Sequence, residues 1–128
     1  MPRARGWLWL GLAGALLAGP ASACMSDQSD KEVAEGKLAI VKARDAAGRI
    51  EKPYILTLAK AACLDAGDPA EKVKSTRKIH IFSSEEKVHA QIAAFVGKSV
   101  RVRGRPFAAH TAHHHAPIVM DIAEIAGR

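Results

Sequence analysis

The sequence predicts a small, mainly β protein: a five-stranded Greek-key barrel of the oligonucleotide/oligosaccharide-binding (OB) type, with one α-helix between strands three and four, after an N-terminal signal peptide. Three observations lead there. Short β-branched runs recur with the period-two alternation of half-buried strands. Only one stretch carries helical spacing. That stretch falls after the third β run and before the last two.

The first strand is expected over Val33 to Val41, where Leu38 and Ile40 alternate with Lys37 and Ala39. Gly36 inside it marks a bulge or sharp bend. Ala46 to Arg49 reads as a turn, and Tyr54 to Leu58 as a compact second strand with Tyr54, Leu56 and Leu58 on one face. Cys63 follows that strand, and Asp65 to Pro69 has loop chemistry. Lys78 to Phe82 gives the third strand, with Ile79 and Ile81 inward and His80 on the other face. Ser83 and Glu86 then form a capping box, and Val88, Ile92, Phe95 and Val96 share one helical face. Gly97 supplies the stop. A plain antiparallel α+β layer with the helix on one face is the rival arrangement.

The last two strands frame the most distinctive stretch. Val100 and Val102 alternate with Arg101, Arg103 and Arg105, and Pro117 opens a run of Ile118, Val119, Met120 and Ile122. Between them lies His110-Thr111-Ala112-His113-His114-His115, which holds four of the six histidines. The pattern is a β-arch with an imidazole-rich tip. On extended backbone His113 and His115 point to one side and His114 to the other. A reversal near Ala112 returns His110 toward them.

The first 23 residues read as a cleaved export signal. Arg3 and Arg5 precede an apolar run from Trp7 to Gly19, and Ala21-Ser22-Ala23 ends in a small-x-small cleavage pattern. The run is shorter than the roughly 20 residues that span a bilayer. Residues 24–128 are then a single OB-like domain, exported to the periplasm or secreted. Cys24 becomes the first mature residue. It is read as the disulfide partner of Cys63 in an oxidising compartment. A lipid on Cys24 is the second reading and the one route to a membrane, although Ala21 stands where a lipoprotein signal carries a leucine-like residue.

Loss of Arg3 and Arg5 lowers the formal net charge from +6 to +4. That balance is mild, and export removes nucleic acid as the ordinary partner. No nucleophile elbow, zinc-protease helix or cysteine–histidine set stands in the chain, so no reaction is assigned.

From Tyr54 to Ile125 the chain resembles the bacterial domain-of-unknown-function family numbered 4431. The residues that carry the likeness are Tyr54 to Leu58, Cys63, Gly97-Lys98-Ser99-Val100-Arg101-Val102-Arg103-Gly104, Phe107, and His110-Thr111-x-His113-His114-His115-x-Pro117. The resemblance implies a short exported protein with the same order of strand, cysteine and histidine arch. It implies no activity.

Two binding chemistries fit these residues. Three neutral imidazoles from His110, His113, His114 and His115 suit a divalent transition metal, zinc or copper above all. No carboxylate adjoins them in sequence, Asp121 being the nearest. Alternatively, Arg101, Arg103 and Arg105 recur at about 6.6–6.8 Å along one strand face. That spacing fits an anionic envelope polymer or a periplasmic protein partner, with the histidines structural.

Overall fold

The computed structural model describes residues 23–128. The proposed export signal lies outside the described residues apart from Ala23. Eight strands follow in chain order: β1 (Met25–Ser26), β2 (Glu32–Ile40), β3 (Ala43–Arg44), β4 (Ile50–Glu51), β5 (Tyr54–Asp65), β6 (Val73–Phe82), β7 (Ser99–Ala108) and β8 (Ile118–Gly127). One short helix, α1 (Glu86–Ile92), sits between β6 and β7.

The five long strands close on themselves. β2 pairs antiparallel with β5 and with β7, β5 with β6, and β7 with β8. The circuit is completed by a parallel pairing of β6 with β8. Closure removes the free edges that an open sheet of this size would present. The inward row is aliphatic: Leu38, Leu56, Ile79, Ile81, Val100, Val102, Ile118 and Met120 are fully buried. Ile92 plugs the barrel from α1, also fully buried. The expected barrel, with its helix between the third and fourth long strands, is therefore the observed one.

Three local expectations change. Gly36 is not a bulge: β2 keeps continuous register through it, pairing it with both Leu58 and Val100. The strand passes there from one neighbour to the other. A Cβ on Gly36 would lie 2.2 Å from the Thr57 carbonyl oxygen, so close approach of two backbones demands the glycine. Second, β5 runs on past Leu58, and Cys63 lies within it rather than after it. Small alanines at 59, 61 and 62 hide this extension from a hydrophobic pattern, and the register shift against β6 between Thr57 and Ala62 breaks its alternation.

Third, Ser83 does not form a capping box. Its hydroxyl donates to the Ile122 carbonyl at 2.7 Å and accepts from the Glu85 amide at 3.1 Å. The side chain thus ties the start of the helical segment to β8, because a buried hydroxyl gains more from an orphan strand carbonyl than from an exposed helix end. Gly97 does stop the helical segment, with φ +86°. The expected pairing of the two cysteines is the observed one. Cys24 and Cys63 form a disulfide, and β1 runs parallel to β5 beside it, Met25 opposite Leu64.

Candidate functional site: the histidine arch against the first loop

In this topology the β2–β5 connection and the β7–β8 connection emerge at the same end of the barrel. The first contains the β3–β4 hairpin, whose tip is fixed by Asp45. The Asp45 carboxylate accepts from the Ala47 and Arg49 amides, each at 2.9 Å, and Gly48 supplies the left-handed residue at φ +81°. Glu51, on the returning strand, is thereby held facing the second connection.

That second connection is the arch, and it reverses at Ala112–His113. Its base is closed by the Ala109 amide donating to the Pro117 carbonyl at 3.0 Å. The Thr111 hydroxyl accepts from the His113 amide at 3.2 Å, and the Thr111 carbonyl from the His114 amide at 3.1 Å. These short bonds satisfy main-chain groups that leave the ladder.

The four rings divide into two groups. His113 and His115 turn to the Glu51 side, as strand alternation predicts. The Glu51 carboxylate lies between them, Oε2 at 2.5 Å from His113 Nδ1 and Oε1 at 2.7 Å from His115 Nε2. The His115 side chain is only 12% exposed, that of His113 62%. The His115 hydrogen bond, ahead of the other contacts, holds the Glu51 carboxyl below its ordinary range. Asp45 reaches the same place: ligand atoms of Asp45, Glu51 and His113 all lie within 4.8 Å of one another. Asp45 is also held low, chiefly by the Arg49 amide. Glu51, His80, His113 and His115 line one open cavity of about 220 Å³.

His110 and His114 lie on the other side. The His114 Nδ1 accepts from the His110 amide at 3.0 Å, and the two rings meet edge to face at 4.7 Å. Both rings also pack on Phe107, at 5.5 and 5.4 Å. Beneath them a row runs across the outside of the barrel: Ile55 opposite His80, His80 opposite Val119, Val119 opposite Phe107. Ile55 and Val119 are buried although they point away from the central core. The arch is their cover. His80 belongs to this layer, and its Nδ1 accepts from the His115 amide at 3.2 Å. Burial, together with the neighbouring His115 and His114, pushes His80 down to about 4. Burial and the other arch histidines lower His114 as well.

Sequence reasoning named Asp121 as the nearest acid and missed Glu51. Asp121 instead accepts from the Ser84 amide at 2.9 Å. The signal for Glu51 was topological: once an OB-type barrel is expected, acids in the first long connection face whatever stands in the last. The three arginines also read differently in three dimensions. Arg101 lies 3.8 Å from Glu35, and Arg103 forms a two-pronged pair with Glu124, leaving Arg105 as the exposed one without such a pair among the described residues.

A family model described as Domain of unknown function (DUF4431) matches residues 78–126. Over this segment the chain is similar to that family. The DUF4431 segment spans the end of β6, α1, β7, the arch and β8. The likeness read from sequence reached back to Tyr54, whereas the match begins at Lys78. Asp45 and Glu51 therefore lie outside the DUF4431 segment, and the site joins that segment to the chain before it. No curated protein and no solved structure matches the chain.

Proposed function

We propose that this protein is a small exported binding module that holds one divalent transition metal ion, zinc or copper, between the first and last long connections of its barrel. Glu51 and His113 are the central ligands and Asp45 supplies a third. His115 orients the Glu51 carboxylate, as outer hydrogen-bonding partners of metal ligands commonly do. The observation that carries the reading is the Glu51 carboxylate set between two imidazoles, with a second carboxylate in ligand range.

The chemistry is favourable. Two carboxylates held deprotonated and an imidazole form a mixed nitrogen–oxygen donor set that suits zinc. Tetrahedral ligands 2.0–2.1 Å from zinc stand about 3.3 Å apart, so His113 and Glu51 would separate by less than about 1 Å from their present contact. His114 is assigned a structural role, since its Nδ1 is engaged by a main-chain amide. Export rests on the first 23 residues and on the Cys24–Cys63 bridge, which takes up the sulfur that a lipid would require.

Zinc and copper titration of untagged protein by calorimetry tests the proposal. The expected result is one ion per chain with sub-micromolar affinity. His113→Ala and Glu51→Gln should each weaken binding at least about tenfold, and His115→Ala by about ten- to a hundredfold. His114→Ala should lower the melting temperature and leave the affinity unchanged. Absence of stoichiometric uptake, or uptake indifferent to His113→Ala and Glu51→Gln, would overturn it.

A further inference from the structure

The β3–β4 hairpin has a second face, turned away from Glu51. In an antiparallel pair, residues opposite each other project to the same side, and successive residues to opposite sides. Ala43 stands opposite Glu51 and Arg44 opposite Ile50, and the Val41 amide donates to the Pro53 carbonyl at 3.2 Å. Glu51 and Ala43 thus share the side that meets the arch. Arg44 and Ile50 share the outer side; Lys42 and Lys52 flank the paired residues, Lys52 also bordering the cavity of Glu51, and Ile40 ends β2. All five are exposed, Ile40 by 45% and Ile50 by 55%.

Two features set this face apart from an ordinary solvated surface. Four large apolar side chains are exposed among the described residues, and two of them are Ile40 and Ile50. The outer side and its flanks also carry cations without an acid. Asp45 is turned onto the hairpin tip and bonded to Arg49, and Glu51 faces the histidines. The Arg44 guanidinium rests on the Gly48 carbonyl at 2.7 Å, which holds it over the hairpin. Two aliphatic anchors therefore project from among three cations.

We infer that this outer hairpin face docks the protein onto the surface of an anionic lipid bilayer. Ile40 and Ile50 enter the boundary between headgroups and acyl chains, and Lys42, Arg44 and Lys52 pair with lipid phosphates. A soluble polyanion would answer the three cations but would bury neither isoleucine. A bilayer answers both. Arg44 and Ile50 lie on the opposite side of the hairpin from Glu51, whereas Lys52 also borders its cavity, so the isoleucine variants are what separate the inference from the metal reading.

Sedimentation of the protein spanning residues 24–128, which includes the whole barrel, with lipid vesicles tests it. Binding is expected to vesicles of phosphatidylglycerol mixed with phosphatidylcholine, not to phosphatidylcholine alone, and to fall as salt shortens the screening length. Lys42→Glu with Lys52→Glu, and separately Ile40→Ser with Ile50→Ser, should each cut vesicle binding at least about tenfold. Both pairs are exposed, so their melting temperatures should stay at the parent value. Equal binding to both vesicle types, or none to either, would overturn the inference. So would an isoleucine variant that binds anionic vesicles as well as the parent, since the cations would then be answering polyanions in general.

Discussion

Gly104 and Gly36 are fixed by what lies against them rather than by turn geometry. A Cβ on Gly104 would stand 2.1 Å from the Asp121 carbonyl oxygen and 2.6 Å from the Ile122 Cα, and the obstacle at Gly36 is likewise backbone. Neither neighbour can rotate aside as a flexible side chain can. The register shift of β7 against β8 falls between Arg103 and Gly104, where the strand is pressed closest to its partner. Gly36→Ala and Gly104→Ala should each cost about 3 kcal/mol or more, because the ladder must part to admit the methyl. Urea unfolding followed by circular dichroism measures this. A loss below about 1 kcal/mol at both positions would mean the strands do not approach as described.

The arch is the element whose residues are most easily misread from composition. Its histidines fall into a layer that covers Ile55 and Val119 and a pair that grips Glu51. The covering layer gives acid lability a definite sign. His80 is neutral in the fold and held at about 4, against an ordinary value of 6.5. The unfolded chain therefore takes up this proton first as pH falls. The stability associated with His80 is complete above pH 6.5 and is lost progressively between pH 6.5 and about 4. His114 is displaced in the same direction and adds to the loss. Glu51 is held below its ordinary 4.5, so its contribution persists until pH falls beneath that value. The melting temperature of metal-free protein should drop between pH 6.5 and 4. His80→Gln, which keeps an acceptor for the His115 amide, should flatten that drop. A profile of the same steepness in His80→Gln would remove His80 from the account.

For the molecule as a whole, the barrel closes its sheet by pairing and its chain by a covalent link. The Cys24–Cys63 bridge spans 39 residues and secures β1 and the turn after it to β5. On the chain-entropy model such a loop contributes about 4 kcal/mol. Replacing Cys63 by Ser should lower unfolding stability by about that amount, measured by urea unfolding. The intact mass of mature protein without reductant should be two hydrogens below the fully reduced value and carry no acyl group. An acyl mass would place Cys24 on a lipid instead.

Much of this architecture was legible in the chain. Val100, Val102, Ile118 and Met120 alternate or cluster as inward strand residues must, and the helical spacing around Ile92 left one place for a helix. With three strands before it and two after, the barrel order followed, because hydrophobic period and turn chemistry are local properties of a sequence. The arch was equally legible as a histidine-rich reversal. Three other features were not local. The continuation of β5 through Cys63 is masked by alanines, which carry little pattern. The role of Gly36 depends on the carbonyl of Thr57 across a strand pair. The approach of Glu51 to His113 and His115 joins residues more than sixty positions apart. Local periodicity decides which segments become strands and which faces turn inward. Which acid meets which imidazole is settled only when closure of the barrel brings its two connections to one end, and no spacing along the chain records that meeting.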